Sequence, residues 1–133
     1  MTLIASPRFL PAVLWADAAA GLATGVLQVA AAPVLARWLG LPQGLLSASG
    51  VALFAYAALA AWLARGRPVS RGGVMLLVAG NLAWVLGCLE LLFTGAAATP
   101  LGQAWLVMLA AAVGALAALE WAGLRRAPRT AWA

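Results

Sequence analysis

Residues 10–39 read LPAVLWADAAAGLATGVLQVAAAPVLARWL, a run in which Asp17 is the only charge before Arg37. At 1.5 Å per helical residue this is more than enough to cross ~30 Å of hydrocarbon. Three further apolar runs follow, at about residues 45–64, 74–93 and 104–124. Inside a bilayer each backbone donor and acceptor needs an internal partner, so these runs predict helices. None of them alternates as a membrane β-barrel strand would. Arg8 followed by the small residues Ala18, Ala19 and Ala20 has some features of a cleavable leader. The apolar run continues to Leu35, however, and reads as an uncleaved first span.

Composition points the same way. The chain has 133 residues, of which 66% are hydrophobic and 8% charged, with a mean hydropathy of +1.03. Soluble domains are nearer 45–50% apolar and about 25% charged. The polar surface here is too small to cover a water-soluble globule, and the apolar content excludes a disordered chain. Turn-forming residues fall between the runs, at Gly40-Leu41-Pro42-Gln43-Gly44, Arg65-Gly66-Arg67-Pro68, Arg71-Gly72-Gly73, Thr94-Gly95 and Thr99-Pro100-Leu101-Gly102. Connections this short predict that consecutive helices pack as antiparallel neighbours. Pro33 is expected to kink the first span near its far end. The expected fold is all-α: a transmembrane four-helix antiparallel bundle, a single membrane domain over residues 1–133 with a tail at 125–133.

The basic residues set an expected orientation. All eight are arginines, and the formal net charge is +5. Arg8, Arg65, Arg67, Arg71, Arg125, Arg126 and Arg129 fall on the side of the termini, and Arg37 falls opposite. The positive-inside rule then places both termini in the cytoplasm. Arg65, Arg67, Arg71, Arg125 and Arg126 are the candidates for contact with lipid head groups, each contributing ~1 kcal/mol near an anionic leaflet. Arginines hugging the span ends argue for membrane lipids as partners and against nucleic acid. Trp15, Trp62 and Trp121 near one boundary, with Trp38 and Trp105 near the other, predict aromatic belts. Trp84, about halfway along the third span, needs a partner for its indole N–H or leaves it unpaired.

Missing residue types narrow the chemistry. The chain has no His and no Lys. The commonest metal ligand, the commonest general base and the Schiff-base amine are therefore lacking. Cys88 has no second cysteine to pair with and reads as a small apolar residue. No metal site, no cofactor and no catalytic residue are expected. Ser47 and Ser49 have no histidine partner, and no glycine-rich phosphate loop follows a strand.

Polar residues inside the spans are costly in hydrocarbon and carry most of the functional information. Asp17, Gly21, Thr24, Gly25 and Gln28 lie on one helical face, and Gly21 and Gly25 form a GxxxG pair that favours close helix approach. That stripe is expected to face the bundle interior or another protomer. Asn81, Trp84 and Cys88 share a face of the third span, with Glu90 pointing roughly away from Asn81. Ala110, Gly114 and Ala118 form a small-residue ridge on the fourth span. Tyr56 lies about mid-membrane, and Glu120 lies about one turn from the inner end, near Arg125 and Arg126. A polar path can be drawn from Asp17 or Glu120, through Asn81 and Tyr56, to Gln28 or Glu90. The path serves proton or solute movement on one reading. On the other it is structural, with Asp17 bonded to Asn81 or Tyr56 and Glu120 paired with Arg125 or reaching water. The two hairpins also echo one another weakly, as parallel repeats would, at a level that an Ala/Leu-rich chain produces by chance.

The segments Ala16-Asp17-Ala18 with Thr24-Gly25, Leu39-Gly40-Leu41-Pro42, Asn81-x-x-Trp84 and Glu120-Trp121-x-Gly123-Leu124-Arg125-Arg126 resemble small bacterial four-span integral membrane proteins of unassigned function. The resemblance spans most of the chain, rests on short motifs, and implies a multi-pass protein of a bacterial inner (plasma) membrane. It carries no activity. By size alone the chain also looks like small multidrug-resistance transporters, but Asp17, followed by Ala and Gly, does not reproduce their first-span glutamate. The leading expectation is a non-enzymatic packing or accessory subunit that self-associates as a homo-oligomer or joins a larger membrane complex. The alternative is a small oligomeric proton-coupled transporter or small-molecule carrier, with Asp17 and Glu90 as its ionisable members. A lipid enzyme using Asp17 with Glu120 at head-group level is a third class.

Overall fold

The computed structural model describes residues 8–66 and 69–126. Among these residues there are five helices: α1 (Phe9–Ala30), α2 (Ala32–Leu39), α3 (Gln43–Arg65), α4 (Arg71–Phe93) and α5 (Pro100–Arg126). All but α2 are long and apolar enough to cross a membrane. The architecture is a helical bundle, and the protein is a small multi-pass membrane protein. Large apolar side chains cover its outside: Leu86 is 67% exposed, Leu76 63% and Val51 59%. A surface of this kind is compatible with hydrocarbon as its solvent and not with water.

The first apolar run is two helices, not one kinked span. Ala31 adopts φ −111° and ψ 20°, closing α1 through its N–H to the Leu27 carbonyl at 3.0 Å. Pro33 sits in the first turn of α2, where its missing N–H has no intrahelical partner to lose. Gly40 ends α2 in the left-handed region at φ 65°, and its carbonyl accepts from the Ala98 N–H at 3.2 Å. Thr99 joins the same corner. Its hydroxyl donates to the Trp38 carbonyl at 2.8 Å and accepts from the Gly102 N–H at 3.0 Å, capping α5. Gly102 is obligatory there, because a Cβ would run into the Leu39 carbonyl.

At the opposite end the starts of α1 and α4 meet the ends of α3 and α5. Gly123 packs on Leu10 and Phe9. Arg71 Nη1 donates to the Leu124 carbonyl at 3.4 Å, and the Arg65 guanidinium lies 5.8 Å from the Trp15 ring centroid. The described arginines other than Arg37 therefore gather at one end of the bundle, while Arg67 and Arg129 lie outside the described residues. Ser70 caps α4, its hydroxyl accepting from the Gly73 N–H.

The helices pair unevenly. α1 packs tightly on α3 and α4 on α5, α1 joins the two pairs through α5, and α3 meets α4 only sparingly. The expectation that all consecutive helices are close neighbours fails at this point, despite the short connection between Arg65 and Arg71. α3 and α4 are held at the arginine-bearing end, where Leu63 presses on Gly73 and Tyr56 on Gly80. A tyrosine this broad against the α4 backbone spaces the two helices. The core accordingly forms two apolar clusters, one at the arginine-bearing end around Leu14, Leu63, Leu77 and Leu124, the other at the opposite end around Leu39, Leu46, Cys88 and Leu106.

The GxxxG pair of α1 acts within the chain. A Cβ on Gly25 would lie 2.9 Å from the Gly50 carbonyl oxygen and 3.1 Å from the Phe54 ring, and Gly21 faces Ala57. Gly50 is the matching contact on α3, with Val29 and Gln28 against it. Small residues here let two backbones approach, which is the main source of helix attraction where lipid is as apolar as leucine. Gly25→Val is expected to destabilise the protein by about 2 kcal/mol through overpacking. Gly72→Ala, with nothing within 4 Å of the new methyl, is expected to be neutral or slightly stabilising. Thermal unfolding of both variants in detergent checks the contrast.

Candidate functional site

Between the two apolar clusters lies a polar layer built from three helices. Asp17 comes from α1, Asn81 from α4 and Glu120 from α5; they are 7%, 4% and 0% exposed. The Asn81 amide nitrogen donates to Asp17 Oδ2 at 3.1 Å and to Glu120 Oε2 at 3.2 Å. Both of its hydrogens are thus committed, one to each carboxylate. Glu120 Oε1 is buried with no partner among the described residues. At 1.5 Å per residue the cluster lies ~9–15 Å inside the arginine-bearing helix ends.

Helical spacing explains the convergence. On α5, Leu106, Leu109, Ala117, Glu120 and Leu124 are all buried at separations of three, eight, three and four residues, so Glu120 belongs to the inward stripe. This corrects the expectation that Glu120 pairs with Arg125 or reaches water: Arg125 and Arg126 are exposed while Glu120 is enclosed. The same burial removes the geometry a lipid enzyme would need, since Asp17 and Glu120 do not open at head-group level. On α4, Asn81 and Cys88 are buried and Trp84 half-buried, as a shared face requires.

Beside the cluster is a cavity of about 70 Å³ lined by Asp17, Thr24, Tyr56, Asn81 and Trp84 among others. A space of ~10–15 Å³ on this measure already holds one water, so a few fit. The Tyr56 hydroxyl donates to the Leu77 carbonyl at 2.7 Å. Gly80 makes room for it, since a Cβ there would overlap the hydroxyl. Two carboxylates held on one amide and shut away from water repel each other when both are charged. A shared amide relieves part of that, and one positive charge between the carboxyls relieves the rest. The arrangement is therefore suited to accepting and returning a proton.

The remaining candidates are elsewhere. Gln28 is 2% exposed and accepts from the Ser49 hydroxyl at 2.8 Å, near the opposite end of the bundle. Ser49 is the partner that sequence reasoning missed. Glu90 is exposed and lies apart from the carboxylate cluster. The Trp84 indole N–H is buried without a partner among the described residues. Ala110, Gly114 and Ala118 do not form one free ridge: Ala110 packs on the apolar cluster beside α2, Gly114 faces Val85, and Ala118 is exposed. Trp15, Trp38, Trp62 and Trp121 are exposed, whereas Trp105 is half-buried against the same cluster.

Comparison of the chain with known protein families, curated proteins and solved structures finds no match. Of what the resemblance to four-span proteins implied, the four long apolar helices stand on the structure.

The cluster makes a stability prediction. Asn81→Leu leaves two buried carboxyls without their common donor and is expected to cost about 2 kcal/mol, more than a typical intramembrane hydrogen bond. Adding Asp17→Asn to that variant removes one charge and returns an amide, and is expected to restore more than half of the loss. Unfolding equilibria in detergent for the parent, the single variants and the double variant measure this coupling.

Proposed function

We propose that this chain is a small membrane carrier in which Asp17, Asn81 and Glu120 form the proton-accepting site. The observation that carries the reading is the pairing of two of the chain's three acidic side chains, buried on one amide beside a hydrated-size cavity. Intramembrane carboxylates are expensive and are typical of proton relays. Structural cross-linking of helices alone needs only one of them. In this reading Glu120 takes the place first expected of Glu90, and the arginine-bearing end with both termini faces the cytoplasm by the positive-inside rule. Placement in a bacterial inner membrane rests on the resemblance of the short motifs alone.

In vesicles carrying a trapped pH-sensitive dye, the parent protein is expected to dissipate an imposed pH gradient faster than protein-free vesicles. Asp17→Asn and Glu120→Gln are each expected to slow it by at least about ten-fold, the range of a lost general acid–base group. A parent rate equal to that of empty vesicles, or variants that match the parent, overturns the proposal.

The second reading is the packing or accessory subunit, alone or within a larger complex. It is favoured by Ala111, Ala115 and Ala118, which lie exposed along one face of α5. It loses the GxxxG pair, which α3 already covers. Cross-linking from Ala115→Cys in a Cys88→Ala background tests the second reading: it expects a dimer linked through α5, and none forming counts against it.

A further inference from the structure

α3 and α4 diverge away from the arginine-bearing end, and the gap between them is a crevice of about 460 Å³. Leu45, Leu46 and Ser49 of α3 form one wall, and α4 from Gly80 to Leu91 forms the other. Its lining is mainly apolar, but three polar groups break the pattern. Gln28 lines it while 2% exposed, with its side-chain carbonyl held by Ser49. Trp84 lines it too, with an indole N–H that has no acceptor among the described residues. Glu90 stands in the lining on the α4 side, about one turn from the end of that helix. A buried donor left without an acceptor costs roughly 1–3 kcal/mol, so the Trp84 indole calls for one.

We propose that this crevice binds a neutral, lipid-soluble molecule that carries a carbonyl oxygen on an apolar body. The carbonyl accepts from the Gln28 amide, with the Trp84 indole as the second donor deeper in. The apolar body fills the space against Leu45, Leu91 and Trp105. Glu90 disfavours an anionic head group at the same site, and the mainly apolar lining disfavours any charged one. A hydrocarbon tail alone fits the lining but leaves the Trp84 indole donor unpaired. The site is separate from the carboxylate cluster, although Gly80, Trp84 and Leu109 line both hollows. The inference stands whether or not the cluster moves protons.

The test is photo-crosslinking of the full chain in lipid bilayers with octyl-benzophenone, an apolar probe whose photoreactive group is itself a carbonyl. Label is expected within residues 45–53 of α3 and 80–91 of α4. Methyl decyl ketone is expected to compete it away, and dodecane and laurate are not. Trp84→Phe, which keeps an aromatic ring while removing the N–H donor and part of the ring volume, and Gln28→Leu are each expected to lower labelling about five- to ten-fold, the worth of one hydrogen bond. Label spread evenly over the outer surface, competition by dodecane equal to that by the ketone, or variants that label like the parent overturn the site. Competition by laurate equal to that by the ketone overturns its assignment to a neutral ligand. No proton movement enters the readout, so failure here is distinct from failure of the carrier proposal.

Discussion

One amide nitrogen, Nδ2 of Asn81, bonds to two carboxylates that come from two other helices. In a bundle whose surroundings are hydrocarbon, polar groups cannot turn to solvent for relief, so this contact fixes rotation as well as proximity. α1 must present Asp17, α4 Asn81 and α5 Glu120 to the same point. The apolar cluster at the arginine-bearing end then follows, because the residues one and two turns towards it on the same stripes are leucines and valines. Apolar contact alone, in a chain this uniform, specifies rotation only weakly.

The second constraint is how closely each pair of helices can approach. Glycines at Gly21, Gly25 and Gly50 bring α1 and α3 together until backbone touches side chain. Tyr56 does the reverse between α3 and α4, standing its ring against Gly80 and sending its hydroxyl to the Leu77 carbonyl. One seam is therefore tight and the other is propped open. Both hollows lie along the propped seam, the smaller beside the carboxylates and the larger towards the opposite end. A four-helix bundle of this size has little interior to spare. An uneven distribution of small and large residues between two seams is one way to make some.

Much of the fold was legible in particular residues. The length of the runs and the turn residues between them placed the long helices, because a bilayer permits few alternatives for an apolar stretch of that length. Pro33 marked a break, though not that the chain would close one helix at Ala31 and begin another. The inward stripe from Asp17 to Gln28 followed from its spacing, as did the shared face of Asn81, Trp84 and Cys88. Glu120 was legible in principle, at three-residue spacing from Ala117, but its nearness to Arg125 and Arg126 in the chain suggested a local partner instead. The Ser49 partner of Gln28 was not legible, since neither residue carries any mark of the other.

By itself, the sequence determined the solvent, the helical class, the clustering of arginines towards one end and the faces that carry polar groups. These depend on composition and period, which are local properties of each segment. Only the tertiary structure decided which face meets which. The GxxxG pair is covered by α3 and not by another chain, Glu120 turns inward to Asn81, and α3 stands away from α4. Periodicity names the side of a helix that wants a partner, but the partner is chosen by size and donor–acceptor complementarity across helices far apart in the chain, and no single segment contains that information.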